Sequence, residues 1–217
     1  MQILIKAIIF DFDGVILDDA YIKEDAFKYL FPKEFDEVIM PILEKYARQS
    51  RKIIIQQCIG AIKLKHELPF DYEYYLNKYY NLTQEAILSS SEIKGAKKAL
   101  DILSKKYKLF VLTSTPDEQI NEIIFKRGFN QFTEIIGSNR DTKLELAKEL
   151  LWKYNLNFNE VVYVGDGLND LACARQLNFE FIGIINKTND FNDRLDIKYK
   201  ETDLQNLVSI IEKIDYK

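Results

Sequence analysis

Short apolar runs rich in β-branched and aromatic residues alternate along this chain with longer amphipathic stretches, and no other feature narrows the fold as much. Parallel strands must be joined by crossovers of a dozen or more residues, usually helices, so this alternation predicts a parallel sheet with helices over both faces. Five runs read as strands: residues 3–10, 109–112, 134–136, 161–164 and 179–185. Each is mostly apolar throughout, as burial between two helical layers requires. Residues 93–106 place Ile93, Ala96, Leu100 and Leu103 on one face of a predicted helix. Pro116 opens the next helix at a tolerated first-turn position, and Gly128 closes it.

The alternation breaks once. From Asp18 to about Ser91 strand-like runs are absent and apolar residues recur at intervals of three and four, which predicts a helical insertion between two pieces of the α/β core. Ser50 ahead of residues 51–61 and Thr83 ahead of residues 84–88 are the expected N-caps, with Pro32 and Pro69 punctuating the segment. Tyr72, Tyr75 and Tyr79 recur at helical spacing and are expected to pack rather than to contact a ligand. At about 150 residues per domain, 217 residues suit one core with an insertion better than two equal halves.

Composition excludes several classes. Thirty basic against 34 acidic residues leave a net charge of −4 with no long basic run, so neither nucleic acid nor an anionic membrane is an expected partner. Cys58 and Cys173 form no C-x-x-C pattern, which excludes a disulfide framework or thiolate zinc site and fits a reducing, cytoplasmic setting. The N-terminal apolar run, interrupted by Lys6 and ended by Asp11, is too short for a membrane span or a signal-peptide core. His66 is the single histidine, so a multi-histidine metal site is excluded and an imidazole-based triad is not expected.

In open parallel sheets, ligands bind outside the carboxyl ends of the strands, where strand order reverses. The first strand ends in Asp11-Phe12-Asp13-Gly14, the second in Thr113-Ser114-Thr115, and the fourth in Gly165-Asp166-Gly167-Leu168-Asn169-Asp170. Four carboxylates therefore lie at two strand ends. Like charges 4 Å apart repel by roughly 4 kcal/mol per pair at an effective dielectric of about 20, so convergence of these groups calls for a cation. An all-oxygen ligand set points to Mg²⁺ rather than zinc. An EF-hand is excluded because Ile22 stands where its loop needs a closing Glu. Asp11 and Asp13 divide naturally into an ionised attacker and a proton-managing partner. Thr113, Ser114 and Thr115 offer donors to a phosphoryl oxygen, and Lys143 begins a helix after the third strand from which it can reach the crevice.

A hydrophobic strand followed by D-F-D-G-V, a second ending at Thr113, an isolated Lys143 and then V-V-Y-V-G-D-G-L-N-D, in this order, resembles the haloacid dehalogenase superfamily over residues 3 to about 185. The resemblance implies an α/β fold with a Rossmann-like three-layer core and a small α-helical cap: residues 1–17 and 92–217 form the core and residues 18–91 the cap. It implies that Asp11 is the nucleophile forming an aspartyl-phosphate and that Asp13 is the general acid that then activates water. Thr113 would hold the transferring phosphoryl group, Lys143 would steady Asp11, Asp166 would ligate Mg²⁺ with Asp11 and the Asp13 carbonyl, and Asp170 would support that shell. Ser114, Asn169 and Arg51 are the substrate-binding candidates; Arg51 sits in Gln49-Ser50-Arg51-Lys52, which resembles a cap loop reading G-x-S-R in relatives, here without the glycine. A second departure is Leu144, where many relatives have proline.

Within that superfamily a second aspartate at position 13 separates phosphate-ester hydrolysis from the dehalogenases, phosphonate-cleaving relatives and transport ATPases. The expected activity is a Mg²⁺-dependent phosphatase acting on a small phosphorylated metabolite, with the chain a monomer or weak dimer. A sugar-phosphate mutase of the β-phosphoglucomutase type keeps both aspartates, but Lys23 replaces its cap-side histidine. A non-catalytic phospho-ligand-binding protein of the same fold is the remaining alternative.

Overall fold

The computed structural model describes residues 4–46, 51–65, 71–137, 142–189 and 191–215, and it divides into two compact units, residues 1–18 with 90–217 and residues 19–89. In chain order the first unit starts with β1 (Ala7–Phe10), and the second holds α1 (Ala20–Leu30), α2 (Asp36–Tyr46), α3 (Arg51–Lys65) and α4 (Tyr72–Ser89). The first unit then resumes with α5 (Ala96–Leu103), β2 (Lys108–Leu112), α6 (Asp117–Arg127), β3 (Glu134–Ile136), α7 (Lys143–Lys153), β4 (Val161–Gly165), α8 (Leu168–Gln176), β5 (Glu180–Ile184), β6 (Tyr199–Glu201) and α9 (Leu207–Asp215).

The strands form one sheet in the order β3-β2-β1-β4-β5-β6, every neighbouring pair parallel. Ile8 of β1 lies between Leu109 of β2 and Val162 of β4, and all three are fully or almost fully buried. Side chains alternate across a strand. Ala7, Ile9, Phe110, Leu112, Val161 and Tyr163 therefore share a core with Leu146 and Leu150 of α7 and Leu171 and Ala174 of α8, while the alternate residues Ile8, Phe10, Leu109, Val111, Val162 and Val164 are buried on the opposite face. This is the Rossmann-like three-layer α/β architecture, and it explains why the inner strands are apolar throughout.

The structure corrects several boundaries. The first strand is confined to Ala7–Phe10, residue 3 lying outside the described residues, and the fifth to Glu180–Ile184. The helix expected over residues 93–106 is Ala96–Leu103: Gly95 takes φ +86° at its start, where a Cβ would meet the Gln205 backbone at 2.8 Å, and residues 104–106 already turn toward β2. A sixth strand, β6, was not foreseen. It has three residues, Tyr199, Lys200 and Glu201, half-buried at the sheet edge, and carries no apolar signature. Gly128 closes α6 as expected, at φ +70°, whereas Pro116 stands one residue before the first turn, as the N-cap with φ −56° and ψ 149°.

Within the helical unit, Phe27, Leu30, Phe31, Ile39, Ile54, Ile55, Cys58 and Ile62 form a separate core with Tyr75 and Tyr79. Phe31 stacks on Tyr75 with centroids 4.5 Å apart, Phe27 tilts against Tyr79 at 4.6 Å, and the buried Tyr79 hydroxyl donates to the Lys23 carbonyl at 3.0 Å. The tyrosine patch is thus packing. Thr83 is not an N-cap: it lies inside α4, its hydroxyl donating back to the carbonyls of Tyr79 (3.0 Å) and Tyr80 (3.1 Å). The expected cap Ser50, with Gln49, His66 and Pro69, falls outside the described residues. Among the described residues no helix is long and apolar enough to cross a membrane.

Candidate active site

The chain runs from β1 outward to β2 and β3 on one side, then returns to β4 on the other side of β1. The β1/β4 boundary is therefore the switch point, and two strand ends open side by side there. Asp11 and Asp13 follow β1, and Asp166 follows β4. Asp11, Asp166 and Asp170 each offer a carboxylate oxygen within 4.8 Å of the others.

Each acid is held by a donor from another part of the fold or from the adjacent backbone. Asp11 accepts the Phe12 amide at 2.7 Å on one oxygen and pairs with the Lys143 ammonium at 2.9 Å on the other. Lys143 also donates to Asp170 Oδ1 at 2.6 Å. Asp170, fully buried, accepts the Tyr163 hydroxyl at 3.0 Å on that same oxygen and the Gly167 amide at 2.9 Å on Oδ2. With three donors already on its carboxylate, Asp170 is built to support, and most of the remaining ligating capacity lies with Asp11 and Asp166. Asp13 Oδ2 accepts the hydroxyls of Thr115 (2.8 Å) and Thr113 (3.3 Å), and Thr113 Oγ1 in turn accepts the Thr115 amide at 3.1 Å.

Two glycines let these groups come close. Gly14 has φ +73°, and a Cβ there would overlap Asp166 Oδ2 and lie 2.9 Å from Asn186 Nδ2. A Cβ on Gly165 would lie 2.5 Å from the Asp170 Cβ, so glycine at the end of β4 lets the first turn of α8 fold back over the strand.

Among the described residues, Asp11 and Asp170 share the Lys143 ammonium while Asp13 and Asp166 add two further carboxylates, in a site where Asp11, Asp166 and Asp170 are at most 9% exposed. Burial, reinforced by the charges of Asp170, Asp166 and Asp13, drives the Asp11 carboxyl well above the ordinary carboxylate range despite the opposing pull of Lys143. Burial and then the Asp170 charge push Asp166 up to about 7, against the Asn186 hydrogen bond and Lys143. Burial works against the Lys143 ammonium, yet Asp11 and Asp170 more than offset it and hold Lys143 above an ordinary lysine. Burial and the Asp170 charge also raise the Tyr163 phenol, which stays protonated to donate. An all-oxygen donor set with this charge deficit suits a hard divalent cation such as Mg²⁺.

The structure thus gathers Asp11, Asp13, Thr113, Lys143, Asp166 and Asp170 in the first unit. Ser114 and Asn169 sit at the same strand and helix ends with exposed side chains, Asn169 Oδ1 accepting the Asp170 amide at 3.1 Å. Arg51 belongs to the helical unit, where its guanidinium lies 5.5 Å from the centre of the Tyr79 ring.

Three supporting roles were not foreseen: the cap on α7, the contact of Thr115 with Asp13 and the amide behind Asp166. Thr142 caps α7 in a reciprocal capping box with Glu145, which places Lys143 at the first helical position; the T-x-x-E spacing announces it. Thr115 is the shorter of the two hydroxyl contacts on Asp13. Asn186, two residues beyond β5, donates to Asp166 Oδ2 at 2.6 Å. It stands just past the carboxyl end of the fifth strand, the same kind of position that marks the candidates after the first, second and fourth.

Residues 8–184 match the family model of haloacid dehalogenase-like hydrolases, and the chain belongs to that family. Its fold is shared by a predicted phosphoglycolate phosphatase from Haemophilus somnus (21% identity, TM-score 0.74, covering 95% of this chain and 98% of that one). It is also shared by the predicted hydrolase YfnB from Bacillus subtilis, solved bound to magnesium (16%, TM-score 0.72, 96% and 99%). A predicted β-phosphoglucomutase from Thermotoga maritima is similar as well (18%, TM-score 0.70, 96% and 99%). Among curated proteins none matches the sequence significantly.

Proposed function

We propose that this chain is a Mg²⁺-dependent phosphatase that hydrolyses a small phosphorylated metabolite through an aspartyl-phosphate on Asp11. The observation that carries the reading is the buried Asp11–Lys143–Asp170 ion-paired chain beside Asp13, with Asp166 across the switch point. Phosphoryl transfer needs chiefly positioning and charge stabilisation, and those are what this arrangement supplies.

Asp11, Asp166 and the Asp13 carbonyl would hold the cation, with Asp170 supporting them. When bound, it would supply positive charge that keeps the Asp11 and Asp166 carboxylates ionised and stabilises charge on the transferring group. Asp11 attacks phosphorus, and Asp13 in its acid form gives its proton to the departing oxygen. Asp13, now a carboxylate, takes a proton from water, whose oxygen attacks the aspartyl-phosphate; the P–O bond to Asp11 breaks and inorganic phosphate leaves. Lys143 keeps Asp11 in place and offsets phosphate charge throughout. The Thr113 hydroxyl, here bonded to Asp13, turns to a phosphoryl oxygen as substrate arrives. Substrate choice is assigned to the helical unit acting as a cap, with Ser114, Asn169 and Arg51 as candidate contacts.

The test is phosphate release from a panel of small phosphomonoesters with Mg²⁺, followed by phosphorus NMR. Release that is lost with Asp11→Asn and with EDTA is expected. Activity surviving Asp11→Asn overturns the nucleophile assignment, and an isomerised sugar phosphate without free phosphate identifies a mutase.

A further inference from the structure

The loop after β5 grips Asp166 at two points. Asn186 Nδ2 donates to Asp166 Oδ2 at 2.6 Å, and Asn189 Nδ2 donates to the Asp166 carbonyl at 3.1 Å. The orientation of the Asn186 amide is set from behind: its Oδ1 accepts both the amide and the hydroxyl of Thr188, each at 2.9 Å. An amide whose oxygen already takes two donors has only its NH₂ group to turn toward a carboxylate.

The loop is itself tied to the core. Asn189 Nδ2 also donates to the Ile184 carbonyl at the end of β5 (2.9 Å), and Asn189 Oδ1 accepts the Phe191 amide at 3.2 Å. Phe191 is fully buried edge-on against Phe181, with centroids 6.0 Å apart. The Ile185 amide donates to Glu201 of β6 at 2.7 Å. A carboxylate on a strand end that is gripped through side chain and backbone by so anchored a loop has little freedom to rotate.

We propose that Asn186, oriented by Thr188 and backed by Asn189, is a positioning residue for a divalent cation: it occupies Asp166 Oδ2 and leaves Oδ1 as the oxygen that ligates. The proposal rests on the metal-dependent reading above. Groups that orient a ligand from behind change metal affinity by about 10- to 100-fold when removed. Asn186 acts through Asp166, so its removal is expected to act on metal affinity before it acts on turnover.

Calorimetric titration of the metal-free full-length protein with Mg²⁺, and with Mn²⁺ followed by electron paramagnetic resonance, measures this without catalysis. Asn186→Ala is expected to weaken both metals by roughly 10-fold or more. Saturating Mg²⁺ should restore most of kcat, so the defect appears in the Mg²⁺ half-saturation rather than in substrate KM. Thr188→Val removes one of the two donors that orient the amide and should weaken binding several-fold, whereas Thr188→Ser, which keeps the hydroxyl, should bind like wild type. This pair tests the idea even if Asn186→Ala fails to fold. Wild-type Mg²⁺ affinity in Asn186→Ala, or equal affinities for Thr188→Val and Thr188→Ser, overturns the positioning role alone. A wild-type protein that binds neither metal overturns the metal-dependent reading and this inference with it.

Discussion

Removing divalent cation and raising the pH from 5.5 to 8 leaves Asp11, Asp13, Asp166 and Asp170 gathered as carboxylates, with Lys143 paired to Asp11 and Asp170, and the protein should lose stability as a result. Asp166 titrates at about 7 in the folded chain against an ordinary value of 3.8. Between those two values the folded state binds more protons than the unfolded state, so stability falls as pH rises and levels off above about 7. Across the whole interval the difference is worth about 4 kcal/mol, of which about 2 kcal/mol falls between pH 5.5 and 7. Asp11 is raised as well and acts in the same direction. Lys143, held above the ordinary lysine value, contributes a constant amount in this window. Glu145, Glu160, Asp196 and Asp215 are held below theirs, so their contributions are lost only in more acid solution. A His66→Gln background removes the single histidine from the measurement. Urea unfolding in EDTA, followed by far-ultraviolet circular dichroism, should give a midpoint that declines from pH 5.5 to 7 and does not recover by pH 8. Saturating Mg²⁺ should reverse the trend, because metal competes with protons for the same oxygens. Asp166→Asn should reduce the slope in EDTA. A metal-free midpoint that rises toward pH 8, or a slope unchanged in Asp166→Asn, refutes the argument.

Lys143→Met removes the ammonium shared by Asp11 and Asp170 and should cost about 3–5 kcal/mol in urea unfolding at pH 8, with Asp11→Asn in the same chain recovering part of the loss. Thr115→Val removes the shorter hydroxyl on Asp13, a charge-assisted bond worth about 1.5–3 kcal/mol, which corresponds to a roughly 10- to 100-fold loss of kcat on alkyl phosphates. The loss should be smaller on 4-nitrophenyl phosphate, whose leaving oxygen needs little proton assistance, and equal losses on both substrates would show that Thr115 does not act through the acid.

The inner strands were legible because each is buried on both faces and therefore apolar throughout; β6 was not, because three half-buried residues at a sheet edge need no such pattern. Asp11, Asp13, Thr113, Lys143, Asp166 and Asp170 could be named because each stands where a strand ends or a helix begins, and parallel topology gathers those ends. Their supports were harder to read. Asn186 lies in an N-K-T-N sequence that looks like any polar turn, and its role appears only once β5 brings it against Asp166. Thr83 misled because a threonine after an apolar stretch resembles a cap, whereas its hydroxyl can equally bond back along a continuous helix.

The supports also explain why repulsion in this site has few outlets. Separating the acids would relieve it, but Asp170 is tied to Lys143, Tyr163 and Gly167, Asp13 to the threonines after β2, and Asp166 to the loop after β5. Gly14 and Gly165 pack so closely against Asp166 and Asp170 that not even a methyl group would fit between. A close-packed surround of this kind deforms little. What can change is occupancy: a proton on Asp11 or Asp166, or a divalent cation between them. Metal removal should therefore be answered by proton uptake rather than by rearrangement, so acid–base titration curves of the metal-free and Mg²⁺-loaded forms should differ near neutral pH while their far-ultraviolet circular dichroism spectra coincide.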